Sequence, residues 1–278
     1  MKTGVAMWHY HHRSVAENVR YFTDNGLRVL GFNQLLLMEA FEAGEADEVA
    51  RILKDTETSL TMHGALSYSH EAERVEDFKK RMMLIGEWQE KYRLIQINSF
   101  DVPQSIRDDV RPYIDYAMNT VKHCYTAVED FGLTDAERVQ IDDLKTDKRF
   151  GYLVDIGHLY IRMRGKTVKP ATLFNNSPTE CPVCETPQRE DFLRAFASKE
   201  FPVLEIHLHN NDGADDLHYF LDEGTLDISV IADVLKTIDY QGIVTIESAP
   251  GFRFECDPAE SDRRICASVD YWNTLTSQ

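Results

Sequence analysis

The 278-residue sequence lacks three features that would each define its surroundings. It contains no apolar run long enough to cross a bilayer, so we expect no membrane association. The first residues, MKTGVAMWHYHH, do not show a basic region followed by an apolar one, which argues against a secretory signal and predicts a cytoplasmic protein. Five cysteines, an odd number in a chain of this length, do not indicate a disulfide framework.

Positive charge is also scarce. Lys and Arg number 30 against 47 Asp and Glu, which gives a net charge of −17 at pH 7. This balance opposes general attraction to nucleic-acid phosphates, and we predict no nucleic-acid partner. The basic residues are scattered, and their one short cluster, at 161–169, is interpreted as a solvated helix end or loop. A phosphate group on a small substrate is the alternative ligand for that cluster.

The most informative segment is 204–247. It contains two strand-like runs, LEIHLH and GIVTIE, separated by an acidic, His-bearing loop, an EGTLD turn and an amphipathic helix. Strand, loop, helix and strand make one βα repeat of a parallel sheet, and (β/α) barrels keep their chemistry where the strands end. Solvated loop charge explains any one of these residues alone, whereas the set at strand ends favours a divalent-metal site. The candidate donors are His207, Asp216, His218 and Glu247.

A second cluster lies about one repeat earlier. The apolar run Tyr152–Val154 ends in Asp155, and His158 follows three residues later. A D-x-x-H pair at a strand terminus can direct both side chains over one mouth of a barrel. A helix-capping Asp with a nearby core His explains the pair about as well when it is taken alone. Its position before His207 favours the site.

These motifs resemble the xylose isomerase-like TIM barrels. The resembling residues are VDIGH, IHLHNNDGADDLH and the ending GTLD…LKTIDYQGIVTIES, and the resemblance extends over most of the chain. The superfamily contains sugar isomerases and epimerases, inosose-processing enzymes, and the endonuclease IV type of abasic-site nuclease (AP endonuclease family 2). The resemblance implies an α/β fold, a single (β/α)8 TIM barrel that forms one domain over residues 1–278, a length usual for such barrels.

The resemblance also implies a divalent metal ion and its ligands. Zinc or manganese is expected first, with magnesium, cobalt or iron as alternatives. The family usually has Glu where this chain offers Asp142, and Asp143 is an adjacent competitor. Carried over residue by residue, the central ligands are Asp142, Asp155, His207 and Glu247.

The nuclease branch of the family binds further metals, and candidates for those are present too. They are His63 on one side and His158, Asp216 and His218 on the other. Where the nuclease pattern has a histidine, RLIQINSF has Asn98, so one metal position is incomplete and Asn98 is assigned to substrate binding. Trp8, in the MWHYHH cluster, is a candidate apolar wall for a substrate ring, with an ordinary strand-end cluster as the alternative. His209 is expected to face away from the site or into the loop.

Strand-like and helix-like segments alternate along the rest of the chain. The interpretation includes a helix capped by Ser14, a long helix over RDDVRPYIDYAMNTVKHCYTAVEDFG, and a strand RVQIDDL that bears Asp142. Only 13 positions separate Asp142 from Asp155, so the helix between them is expected to be reduced to a turn. A loop insertion is expected around 166–190. Its Cys181 and Cys184 are interpreted as spare thiols, with a metal or redox role as the alternative.

Two classes of function follow. The first is a metal-dependent isomerase or epimerase of a sugar, sugar phosphate or polyol, with Glu247 and Asp142 as bases and His158 as a substrate hydrogen bonder. The second is a multinuclear metal hydrolase of a phosphodiester, which Asp216 and His218 favour and the acidic charge opposes. A barrel that only binds a ligand is a third alternative. The expected partner is a small sugar-like molecule, and the oligomeric state stays open, with a homodimer and a homotetramer as the alternatives.

Overall fold

The computed structural model describes residues 1–7, 13–66, 73–103, 109–129, 139–168, 183–251 and 253–277. Eight strands close a barrel in the order in which they occur in the chain, which confirms the predicted (β/α)8 fold. The strands are β1 Lys2–Met7, β2 Val29–Asn33, β3 Ser59–His63, β4 Ile95–Phe100, β5 Tyr125–Glu129, β6 Phe150–Asp155, β7 Val203–Leu208 and β8 Ile243–Ile246. The helices are α1 Val15–Asp24, α2 Gln34–Glu42, α3 Ala46–Asp55, α4 Arg74–Tyr92, α5 Arg111–Thr120, α6 Ile156–Met163, α7 Arg189–Ala197, α8 Ile228–Thr237 and α9 Pro258–Ser277.

The chain forms two compact units. One contains Ala6–Glu129 and Asp135–Gly151, and we call it the β2–β5 unit. The other contains Met1–Val5 and Tyr152–Gln278, and we call it the β6–β8 unit. The assignment of one domain to residues 1–278 stays a prediction.

In the β2–β5 unit, the register brings the carboxyl ends of the strands to one edge. Asn33 pairs with His63 across β2 and β3, and Met62 pairs with Asn98 across β3 and β4. Phe100 pairs with Val128 across β4 and β5. Successive strand residues alternate between the two faces of a sheet, so this register decides which side chains meet beyond the strand ends.

In the β6–β8 unit, the register places two predicted site residues side by side. Asp155, the last residue of β6, pairs with His207 of β7, and His207 pairs with Thr245 of β8. Glu247 follows β8 directly, and its backbone N–H donates to the carbonyl of Leu208 at 2.9 Å. The carboxyl ends of three neighbouring strands therefore carry the three residues.

Two elements in the described ranges 109–129 and 139–146 differ from the prediction. The expected long helix ends at Thr120, the backbone turns at His123 with φ 65°, and β5 follows. The expected strand that bears Asp142 is a 3-10 helix, Asp142–Thr146. The physical reason is the spacing of its apolar residues: Ile141 and Leu144 are buried three positions apart, which is a helical period and not the period of two of a strand.

One local prediction, the cap of the first helix, is confirmed. Ser14 caps α1 in a capping box with Glu17. The insertion expected around 166–190 lies largely outside the described residues, as does Cys181, and the sulfur of Cys184 lies 3.8 Å from a carboxylate oxygen of Asp191. Within the described ranges, none of the helices combines the length and the apolar character that crossing a membrane requires.

Candidate metal centre

The turn from β6 into α6 fixes the first two site residues. Asp155 ends β6 and is also the N-cap of α6, where its Oδ1 accepts the backbone N–H of His158 at 2.7 Å. A carboxylate at this position satisfies one of the unpaired amides of the first helical turn. Both side chains are buried, so the D-x-x-H motif is at once a helix cap and a pair of inward-facing donors.

Asp155, His207 and Glu247 form the central group. Each offers a donor atom, and the three donor atoms lie within 4.8 Å of one another. Nδ1 of His207 is 3.1 Å from Oε2 of Glu247. Oδ2 of Asp155 is buried and has no hydrogen-bond partner among the described residues. A divalent cation suits this set, because it takes nitrogen and oxygen donors and would satisfy the buried oxygen. We refer to these three residues as the central group.

Burial and charge act against each other in the central group. Burial alone would lower the pKa of His207, but the neighbouring charges of Glu247 and Glu205 outweigh it and raise that pKa to about 10. Burial would raise the pKa of Asp155, and the histidines around it instead hold it well below its usual range. A protonated imidazole among ionised carboxylates therefore balances the buried charge when no cation is bound.

A second group lies on α6 and on the loop after β7. Oδ1 of Asp216 is 3.1 Å from Nε2 of His158, 3.7 Å from Nε2 of His209 and 3.0 Å from Nε2 of His218. Nδ1 of His218 faces the carbonyl of Glu247 at 2.9 Å. A metal-bound histidine usually donates from one ring nitrogen to a carbonyl or carboxylate and binds the metal through the lone pair of the other, and the contact of Nδ1 with a carbonyl fits this arrangement.

The asparagines of the NND motif explain why this loop returns to the site. Oδ1 of Asn210 accepts the backbone N–H groups of Asn211 and Leu226, and its Nδ2 donates to the carbonyl of Leu221 at 3.2 Å. Asn210 and Tyr219 also exchange backbone hydrogen bonds. These bonds close the loop at its base, and Asp216, which lies between them, also accepts from Arg253 at 2.9 Å.

His209 belongs to the second group, and the expectation that it faces away is wrong. Its ring is fully buried, Nε2 lies 3.1 Å from Oδ1 of Asp155, and it stacks on His218 at a centroid distance of 3.8 Å. The sequence carries the signal for this position, because residues two apart in an extended segment lie on the same face. A prediction that His207 faces the site therefore implies the same for His209. Gly157 makes room for the ring: a Cβ there would lie 2.1 Å from the His209 ring carbon Cε1.

A third group occupies the β2–β5 unit. Nε2 of His63 is 3.4 Å from Asp101 and 3.3 Å from Glu129. Its Nδ1 lies 2.9 Å from the hydroxyl of Ser99, which itself donates to the carbonyl of Met62. Burial would lower the pKa of His63, but the charge of Asp101 and the second carboxylate raise it well above its usual range. The donor atoms of His63, Asp101 and Glu129 lie within 4.8 Å of one another.

The structure does not bring Asp142 into any of these groups, and this prediction is corrected. Its side chain is 67% exposed and pairs with Lys145, while Asp143 pairs with Arg111. The buried carboxylate that ends β5, the strand before β6, is Glu129. It stands at a strand end of the kind where the resemblance implies a glutamate. The run TAVE, in which apolar residues precede an acid, is the sequence signal for this strand end. The prediction of one long helix over the segment hid that signal.

The two proposed substrate contacts have different outcomes. Trp8 lies outside the described residues. Asn98 is fully buried, and its amide contacts Gln34 and the sulfur of Met82. Its side chain is therefore occupied by protein contacts, and Ser99 is the residue of β4 that meets His63.

Comparison with known proteins shows the fold. No protein-family model matches the chain. A curated relative, an uncharacterized protein of Methanocaldococcus jannaschii, is 29% identical over 58 residues, which is 21% of this chain and 20% of that protein. The match therefore spans about a fifth of the curated relative.

Solved structures match over the whole chain. D-psicose 3-epimerase from Clostridium cellulolyticum H10 is 12% identical, with a TM-score of 0.64 and 99% of each chain covered. A xylose isomerase domain protein from Alicyclobacillus acidocaldarius is 14% identical, with a TM-score of 0.64. The match covers 100% of this chain and 98% of that protein. D-allulose 3-epimerase from Methylomonas sp. in complex with D-allulose is 12% identical, with a TM-score of 0.63 and coverage of 99% and 97%. The chain has the fold of the xylose isomerase-like TIM barrels.

Proposed function

We propose that the protein is a metal-dependent isomerase or epimerase of a sugar, sugar phosphate or related polyol. The observation that carries the proposal is the central group, whose nitrogen and oxygen donors converge at three adjacent strand ends. Asp155, His207 and Glu247 would hold the cation, with zinc or manganese expected first. Sugar 3-epimerases share the fold, which supports a small sugar-like substrate.

The residues of the centre suit proton transfer beside a carbonyl. A bound divalent cation would polarise the substrate carbonyl and acidify the neighbouring C–H. Glu247 takes that proton as general base, because the charges of His207 and His218 outweigh burial and lower its pKa, which keeps it ionised. His158, buried beside the centre, donates to a substrate hydroxyl. Asp142 does not serve as the second base, because its side chain is exposed and paired with Lys145.

The test is solvent deuterium exchange in Glu247→Gln. Glutamine keeps the size and one oxygen donor but removes the charge and the basicity. We expect the variant to retain some metal and to lose deuterium incorporation into D-psicose, D-tagatose and D-fructose, a panel that wild-type protein is expected to label in at least one member. The matched control is Glu255→Gln, an exposed glutamate on the same loop. Exchange at the wild-type rate in Glu247→Gln would show that another group is the base.

The second group favours one further candidate, a multinuclear metal hydrolase of a phosphodiester. Three imidazole nitrogens directed at Asp216 are the arrangement of a zinc site, and the third group offers another set of donors. The net charge of −17 opposes it. We expect one strongly bound metal equivalent in protein purified without chelator, and no salt-sensitive binding to an abasic-site duplex. Two or three equivalents together with cleavage of that duplex would reverse the ranking.

A further inference from the structure

An acidic residue outside the central group, Glu205, lies on β7 two residues before His207 and on the same face. Glu205 is fully buried. Its Oε1 accepts the hydroxyl of Thr245 at 2.6 Å, and its Oε2 has no hydrogen-bond partner among the described residues. Neither the sequence motifs nor the central group accounts for it. A buried carboxylate is costly unless a charge nearby balances it, so the local structure must supply a reason for its presence.

The group that balances Glu205 is the imidazole of His207. Nε2 of His207 lies 3.6 Å from Oε1 of Glu205, an ion-pair distance, while Nδ1 on the other side of the ring faces Glu247 at 3.1 Å. The other titratable neighbour, Tyr240, donates its hydroxyl to the carbonyl of Ile243, and the charge of Glu205 adds to burial in raising its pKa well above the usual range. The His207 ring thus lies between a carboxylate on the site side and a carboxylate behind it.

We propose that Glu205 is a positioning residue of the metal centre. It holds the proton on Nε2 of His207, so that Nδ1 turns its lone pair toward Asp155 and Glu247. Metal-bound histidines commonly place a carboxylate, carbonyl or water on the ring nitrogen that does not bind the metal, because this fixes the tautomer and raises the basicity of the ligand. This role rests on the proposed metal centre and adds to it a residue behind the ligands.

A purely structural role predicts a different response to substitution. If Glu205 only filled space, an uncharged side chain of the same size would fill it equally well. In that case metal affinity would not change. Glu205→Gln removes one partner of a buried ion pair and lowers the stability of the metal-free fold in either role, so stability alone does not separate the two roles. A positioning residue is recognised by a fall in metal affinity together with loss of the proton from Nε2 of His207.

The experiment is a Co²⁺ titration of the full-length, metal-free protein against a competing chelator. For Glu205→Gln we expect a Kd for Co²⁺ about 10 to 100 times that of wild type, the usual cost of losing such a partner. The thermal midpoint of the metal-free variant should lie below that of wild type at pH 6.5 and lower, because the charged His207 loses one of its two carboxylates. Thr245→Val is the matched control, since it removes the hydrogen bond to Glu205 but keeps the carboxylate, and its Kd should stay close to wild type.

Nitrogen-15 NMR of the His207 ring gives a readout that stability does not affect. In the zinc-loaded wild type we expect the proton on Nε2, and in Glu205→Gln a loss of that preference. Equal Co²⁺ affinity in wild type and variant would overturn the role of Glu205 and leave the centre intact. A wild type that binds no Co²⁺ would overturn the centre and this role together. If Glu205→Gln does not fold, Glu205→Asp, which keeps the charge but shortens its reach, should weaken Co²⁺ binding, and an unchanged Kd would overturn the proposal.

Discussion

Both units carry histidine and carboxylate side chains at their strand ends, but the ratio of histidines to carboxylates differs between them. In the β2–β5 unit, one histidine, His63, faces two carboxylates, and a neutral hydroxyl, Ser99, holds its other nitrogen. In the β6–β8 unit, four buried histidines share four buried carboxylates, Asp155, Glu205, Asp216 and Glu247, and His207 has a carboxylate on each side. The ratio of nitrogen donors to oxygen donors is therefore higher in the second unit than in the first.

This difference bears on which cation each unit would select. Imidazole-rich sets suit zinc, and sets with more carboxylate suit manganese or magnesium. The common feature is a histidine whose pKa is raised by two carboxylates, the partly exposed His63 and the buried His207. A proton on the histidine or a bound metal ion can each balance the negative charge of the carboxylates. In both units metal affinity should therefore depend on pH, because the metal competes with the proton for the histidine.

The largest expected effect separates the two units. His207→Ala should abolish the metal bound at the central group, because it removes the one imidazole of that group. His63→Ala should leave that metal in place, since its own partners are Asp101 and Glu129. Metal content measured by mass spectrometry, with circular dichroism to verify the fold, checks both. The control is His123→Ala, on a half-exposed surface histidine. Unchanged metal content in His207→Ala would refute the assignment.

The contrast between units also shows what the sequence could predict. Asp155, His207 and Glu247 were predicted because each closes an apolar run that is itself a strand or borders one. Glu129 was missed because YTAVE continues a helix-like pattern, and the break at His123 is a backbone turn that its residue type does not announce.

Other residues of the candidate sites could not be predicted from local sequence patterns. Asp101 and Ser99 follow no metal-binding spacing, and they meet His63 through pairing between β3 and β4, which is a long-range contact. Glu205 carries no local signal of a role in the site, because a strand acid normally faces solvent and its burial depends on the barrel closing around it. The fold was thus predictable from periodicity and motif resemblance, while the third group needed tertiary structure.

A moderate effect is expected from pH in the metal-free protein. The pKa of His207 is raised from 6.5 to about 10, and those of His63 and His209 are also raised. A raised folded-state pKa stabilises fully below the unfolded value of 6.5, and that contribution is lost as pH rises toward 10. The thermal midpoint should therefore fall over this window, by about 2 to 4 °C for each kcal/mol lost.

The same pH series distinguishes the units and the metal-bound state. His207→Asn and His63→Asn should each flatten the decline, because each removes one histidine whose pKa is raised in the folded protein. With saturating Zn²⁺ the trend should reverse, because the histidine ligands must lose their protons to bind. A midpoint that stays level from pH 6.5 to 10 in chelator-treated wild type would contradict the picture of imidazolium ions among the buried carboxylates.

The smallest expected effect is at Asp142, and it tests the corrected assignment. Its side chain is 67% exposed, and its partner is Lys145 on the same 3-10 helix. Exposed ion pairs of this kind contribute little, so Asp142→Ala should leave metal content, deuterium exchange and thermal midpoint at wild-type values.

Glu129→Gln is the paired variant. It removes a buried carboxylate from beside His63 and should lower the thermal midpoint measurably below pH 6.5, where the histidine is charged. Loss of metal in Asp142→Ala, with Glu129→Gln unaffected, would restore the original prediction and would mean that the segment 139–146 rearranges when the metal binds.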